Sequence, residues 1–298
     1  MPKPVLHIEE QIALLQSRGM QFRDEEAAKH YLLNISYYRL KGYWWDRQSD
    51  KVAHQFHADI YFEDIIDCYN FDRHLRLLLF DGIERIEIAM RTKMIYFLSL
   101  SYGPFWYRNA ELFRSASAHE ENIQALEREF AYSKEIFIKD HKERFPGQDP
   151  EAWKIIEVVS MGTLSKFFNN LHHQLPEKAK ITQSMGLNIH KELASWLEAV
   201  TYFRNMVAHH SRLYSRLMVL KPKPELNNPP LPWLLNGLKP IEINRPFLII
   251  SVILYLCNAV TPGHHIKEKI MKLFDENPNV PKHKLGFLDD WKRHPIWQ

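Results

Sequence analysis

Glycine is scarce in this chain, at ten of 298 residues. Neither G-x-G-x-x-G nor G-x-x-x-x-G-K-[ST] occurs. Those motifs need glycine where the backbone must approach a phosphate closely, so a Rossmann or P-loop nucleotide machine is excluded. Cysteine is scarcer still. Cys68 and Cys257 stand alone, with no C-x-x-C pair. The opening MPKPVLHIEEQ lacks the apolar run of a signal peptide. Both features lead us to expect a reducing cytoplasm. Long apolar runs are also missing. The longest, FLIISVILYLCNAV at 247–260, has 14 residues, short of the roughly 20 that span a bilayer. It reads as a buried core helix, and no membrane partner is expected.

One-sided charge is absent too. Net charge is +3, too little for a polycation that coats any nucleic acid. Sixteen histidines are many, yet H-E-x-x-H is missing and no Cys/His set has zinc spacing. A pair such as His54 and His57 is a common coincidence among so many. We expect no metal and no cofactor.

What the chain does have is apolar residues, 45% of the total, and 13% aromatics, the composition of a globular protein. Strand signals are few, with a hairpin-type dipeptide only at Asn236-Gly237. Apolar 3–4 spacing predicts helices over 7–18, 24–34, about 59–101, 119–143, 151–173, 189–220, 246–260 and 264–275. Asp81–Arg85 and Glu87–Arg91, four apart, support the long third segment. The aromatic knot ISYYRLKGYWWD lies at 35–46, and NNPPLPWLL at 227–235 reads as a loop. The pattern predicts an all-α helical bundle. Its expected parts are an N-terminal helical extension (1–57), a main bundle (58–262), and a C-terminal helix and tail packed on it (263–298).

One stretch concentrates chemistry: TYFRNMVAHHSRLYSR, residues 201–216. At roughly 100° per residue from Arg204, one arc collects Thr201, Asn205, Ala208, His209, Arg212, Ser215 and Arg216. The opposite arc collects Phe203, Met206, Val207, His210, Leu213, Tyr214 and Leu217. His209 therefore joins the polar face, while His210 is expected to be a satisfied core histidine. A merely basic amphipathic helix is the plainer alternative. The Arg-to-His spacing by itself decides nothing, since it recurs at Arg23…His30, Arg47…His54 and Arg114…His119. The company of Asn205, Arg212 and Arg216 sets the 204–209 copy apart.

Arginine offers a planar charged fork to phosphate oxygens, and histidine moves protons near neutrality. Without a metal, these groups suit attack of an RNA 2′-OH on its adjacent phosphate, since the nucleophile belongs to the substrate. One histidine per chain is thin for both acid and base. A C2 dimer would bring two to one cleft.

R-N-x-x-A-H-H-S-R-L-Y-x-R, Arg204 to Arg216, resembles the signature helix of the Abi-like AbiD/AbiF abortive-infection proteins of the HEPN superfamily, whose active members carry R-x(4–6)-H. QIALLQSRGM (11–20), ISYYRLKGYW (35–44), FDRHLRLLLFDGIERIEIAMRTKM (71–94), YGPFWY (102–107), WKIIEVVSMGTLSKFFNNL (153–171) and a C-terminal LGF…W…HPIW agree in order. Leu288, where proline is expected, is a small departure. The resemblance implies a HEPN-type helical bundle, a homodimer, and metal-independent RNA cleavage in bacterial anti-phage defence. It makes Arg204 and His209 the catalytic pair, with Asn205 beside them. It also makes a small structured RNA partner or antidote plausible. The alternative is a catalytically silent RNA-binding or interaction module of a defence or toxin–antitoxin system. A metal hydrolase would need a His/Asp cluster that is not found.

Arg212 and Arg216 are candidates to hold RNA phosphates. Within the knot, Arg39 and Lys41 could do the same beside stacking rings, although most of Tyr37, Tyr38, Tyr43, Trp44 and Trp45 should form a core seam. Arg73, Arg76, Arg85 and Arg91 should be solvated or paired with nearby acids. Ser160 and Thr163 should cap or pack a helix.

Overall fold

The organising element of the computed structural model, which describes residues 5–298, is one 41-residue helix. An apolar residue recurs every three or four positions along it: Phe71, Leu75, Leu79, Ile83, Ile86, Met90, Met94 and Leu98 are all buried. At 1.5 Å per residue this helix is about 60 Å long.

Three helices precede it: α1 (Ile8–Ser17), α2 (Glu25–Asn34) and α3 (Tyr37–Trp44). Asp24 caps α2 by accepting from the Ala27 amide, and Ser36 caps α3 by accepting from that of Arg39. A small antiparallel ladder, β1 (Gln48–Asp50) with β2 (Gln55–Phe56), leads into the long helix, α4 (Phe62–Tyr102). Then come α5 (Ala116–Tyr132), α6 (Ile136–Arg144), α7 (Ala152–Ile155), α8 (Met161–Asn170), α9 (Pro176–Ser184), α10 (His190–Ala208), α11 (Pro240–Asn244), α12 (Pro246–Val260) and α13 (Ile266–Glu276). The fold is all-α, as the periodicity predicts.

The apolar run at 247–260 is α12, buried almost throughout against α4. Gly82 makes that approach possible. A Cβ there would stand 3.0 Å from Ile253 Cγ2 and 3.1 Å from Ile266 Cδ1, so α12 and α13 both use the gap. The C-terminal tail closes over α12, with Trp297 Nε1 donating to Ser251 Oγ at 3.0 Å. Cys68 and Cys257 are buried. Burial pushes their thiols up to about 11 and about 12 respectively, so neither is a ready thiolate.

Four sequence expectations need correction. The segment 119–143 is two helices, broken at Ser133, where the α5 C-cap turns extended. The segment 151–173 is not one helix: the backbone is extended at Val159 and Ser160, between the short α7 with its 3-10 turn and α8. The polar helix α9 was not foreseen. Most consequentially, the helix predicted over 189–220 ends at Ala208.

Candidate functional site

The end of α10 is built rather than frayed. His209 is its C-cap, and His210 adopts a left-handed backbone with φ 55°. The Ser211 amide donates to Met206 O at 2.8 Å, and the His210 amide to Val207 O at 3.0 Å. That bonding pattern is a Schellman motif, whose left-handed position usually belongs to glycine. Histidine there carries a steric cost of about 1–2 kcal/mol. His210→Gly should therefore raise stability, by about 0.5–1 kcal/mol once the added freedom of the unfolded chain is subtracted. Urea denaturation would measure it, and a lower midpoint would contradict the strain.

A buried carboxylate on α4 holds the chain beyond the cap. Asp72 is fully buried. It accepts from the Leu213 amide at 3.1 Å, the Tyr214 amide at 2.8 Å and Tyr43 Oη at 2.7 Å, and pairs with Arg76 Nη1. Burial pushes the Asp72 carboxyl up from its ordinary value, while Arg76, Tyr43 and the two amides pull it back. Leu213 and Tyr214 are themselves buried. Arg39 on α3 ties down the near side, its Nη2 donating to His210 O at 2.7 Å. Residues 209–216 thus form a loop anchored in the core at its centre.

This anchoring redistributes the candidate residues. Arg204, Asn205 and His209 stay together at the end of α10. Asn205 and His209 are exposed, and Arg204 is half-exposed. Arg204 Nε lies 3.8 Å from Glu87 Oε2, a carboxylate that also binds Arg91 at 3.1 Å. The Arg204 guanidinium reaches Asn205 Oδ1 at 3.5 Å. The His209 ring forms no hydrogen bond or ion pair among the described residues. His210 is also exposed, which overturns the core placement that a continuous helix implied. Arg212 and Arg216 no longer share a helical face with His209. Arg212 instead turns onto α3, where Gly42 makes room for it: a Cβ at position 42 would sit 3.0 Å from Arg212 Nε. Its guanidinium lies 5.9 Å from the centre of the Tyr43 ring.

Two concavities flank the end of α10 and share Phe80 as a wall. One, of about 250 Å³, includes Glu87, Ile88, Arg91 and Arg204. The other, of about 390 Å³, includes Arg73, Leu77, Val207 and His210. A helix C-terminus repels anions. A phosphate bound here therefore depends on the cations that surround it.

Of the α4 arginines, Arg76 is buried against Asp72, while Arg85 and Arg91 pair with Asp81 and Glu87 as their spacing suggests. Ser160 caps α8 by accepting from the Thr163 amide. The aromatic knot divides. Tyr43 and Trp44 are core, and Tyr38 and Trp45 are exposed. Asp72 is the functional-site residue that sequence reasoning passed over. Its only signal is a carboxylate four residues before an arginine, between Phe71 and Leu75. Among the described residues no group of three or more His, Cys, Asp or Glu could hold a metal ion, and no helix is long and apolar enough to cross a membrane.

An all-α protein with arginine, asparagine and histidine gathered at one exposed helix end is the class these features define. The chain belongs to the Abi-like protein family, whose model matches residues 30–215, well over half of it. The match takes in α3, Asp72, Arg204, His209 and Arg212. Family membership suggests a role in abortive-infection defence. No curated protein and no solved structure matches the chain.

Proposed function

We propose that this protein is a metal-independent endoribonuclease of the HEPN type, acting in the cytoplasm in abortive-infection defence against phage. The observation that supports this best is the exposure of Arg204, Asn205 and His209 together at the end of α10, with the loop behind them rigidly anchored. In this reading His209 accepts the proton of an RNA 2′-OH. The 2′ oxygen attacks the adjacent phosphorus, Arg204 stabilises the phosphorane, and the P–O5′ bond breaks as O5′ is protonated. Asn205 orients a phosphate oxygen or the Arg204 fork. The products carry a 2′,3′-cyclic phosphate and a 5′-OH. A small structured RNA is a natural partner or antidote for such an activity.

A second copy of the chain would supply the second histidine, one acting as base and the other as acid. Leu77, Phe80 and Ile88 on α4 are 57%, 37% and 49% exposed and line the two concavities at this end of α10. They form an apolar strip beside Arg204 that suits a two-fold contact. Phe80→Glu with Ile88→Glu should turn a dimer into a monomer by light scattering and abolish cleavage. A wild-type protein that is already a monomer yet cleaves would remove the two-histidine scheme.

The deciding test incubates single-stranded RNA in EDTA with the wild-type protein and with His209→Ala, then identifies the product ends. Cyclic-phosphate ends from the wild type alone support the mechanism. RNA bound by both proteins and cut by neither would favour the silent binding module.

A further inference from the structure

Tyr38, Lys41 and Trp45 lie at spacings of three and four along α3 and its extension, so they share one face. The face is exposed: Tyr38 to 74% and Trp45 to 39%. Lys41 Nζ sits between the two rings, 5.8 Å from the centre of Tyr38 and 5.1 Å from that of Trp45. Across from them the anchored loop contributes Arg212 and Ser215. Together they bound a groove of about 410 Å³, within the roughly 300–1,000 Å³ of small-molecule sites.

Neither cation in this groove is neutralised by an ion pair among the described residues. Asp46, at its edge, is engaged by Lys284 at 2.7 Å. Arg39, the other cation of α3, is committed to the His210 carbonyl. The groove thus brings together two exposed aromatic rings, with Lys41 over one face of each, and two cations without an ion-pair partner among the described residues. That combination matches a nucleotide: an aromatic base that stacks in place of the flexible Lys41 side chain, and a phosphate for the cations. Tyr38 and Lys41 also border a second groove that runs to Arg18 and Tyr37, so a strand has a path onward.

Position gives the groove its meaning. Arg212 is three residues from His209, so their Cα atoms are at most about 11 Å apart. We propose that the groove between Tyr38, Lys41, Trp45 and Arg212 is a base-stacking subsite for single-stranded RNA. It takes the base of a nucleotide close to the scissile phosphate and so sets the register of the strand over His209. This rests on the reading of RNA as the ligand, and it adds where the strand lies and which side chains choose the cut.

The test uses full-length protein carrying His209→Ala, so that RNA is not consumed, and measures anisotropy of a short labelled single-stranded oligoribonucleotide. Tyr38→Ala with Trp45→Ala should weaken binding roughly tenfold or more, and Trp45→Phe should restore most of its share. Moving one abasic residue along the oligonucleotide should weaken binding at one or two positions, and only when the rings are present. In protein with His209 intact, the ring-less variant should cut with altered site preference. Equal affinity with and without the rings, indifference to every abasic position, or no binding of single strands by the folded protein would overturn the subsite. Ring-dependent binding without any cleavage would instead defeat the ribonuclease reading and leave the subsite standing. Cleavage with unchanged site preference in the ring-less variant would do the reverse.

Discussion

Replacing Asp72 by alanine should cost about 3–5 kcal/mol of stability, the range for removing one partner of a buried ion pair. The loss goes beyond the pair. Asp72 is fully buried and accepts from the Leu213 and Tyr214 amides, from Tyr43 Oη and from Arg76. Alanine leaves a buried guanidinium uncompensated and two buried amides without acceptors, each costing about 1–3 kcal/mol. Asp72→Asn should be milder, because its carbonyl oxygen can still receive an amide while Arg76 stays unpaired. Urea denaturation measures both. Where the variants remain folded, RNA cleavage should fall although Asp72 lies beneath the loop and touches no substrate. Combining Asp72→Asn with Arg76→Met should recover stability relative to Asp72→Asn alone, since the stranded charge is gone. An unchanged midpoint for Asp72→Ala would mean that the loop is held by something else.

That same carboxylate explains where the sequence could be read and where it could not. The helices 7–18, 24–34 and 246–260 were legible because local periodicity, caps and prolines mark their ends, and α1, α2 and α12 match them within two residues. The end of α10 has no local mark. Residues 209–216 contain neither glycine nor proline, and the turn is imposed by a group some 141 positions earlier in the chain. A helical wheel carried past Ala208 still sorted Leu213 and Tyr214 correctly as buried, because apolar side chains seek the core from a loop as from a helix. It failed for His210, whose left-handed backbone sends it outward, and for Leu217, which lies beyond the anchored stretch and is exposed. The Arg204–Asn205–His209 grouping survived because it lies within the last turn and its cap. The approach of Arg212 to α3 was invisible, since it depends on the space above Gly42. The division of the aromatic knot into buried Tyr43 and Trp44 and exposed Tyr38 and Trp45 follows from α3 being a helix with one face on α4. The α9 helix escaped notice for a different reason: PEKAKITQS has little apolar periodicity, and its buried residues include Lys178 and Thr182.

Arg204→Ala should slow RNA cleavage by about 10²–10³, the usual effect of deleting a donor that stabilises transition-state charge. Its unfolding midpoint should barely move. Arg204 is half-exposed, and its contact with Glu87 is long, at 3.8 Å. A surface pair of this kind contributes little to stability. Arg204→Lys separates charge from geometry. Lysine keeps the positive charge but loses the planar fork, so it should recover only part of the rate. Glu87 is shared by Arg91 and Arg204; on the proposed reading it positions the Arg204 fork, so Glu87→Gln should lower the rate less than Arg204→Ala does. Single-turnover cleavage at saturating RNA distinguishes this from weakened binding. Loss of transition-state stabilisation lowers the chemical rate at saturation, whereas loss of a ground-state phosphate contact is overcome by more RNA. His209→Ala should fall at least as far, because the neighbouring His210 projects from a left-handed backbone into the concavity of Leu77 and Phe80 rather than the one that Arg204 lines. Wild-type cleavage by a folded Arg204→Ala or His209→Ala variant would move the active centre away from the end of α10.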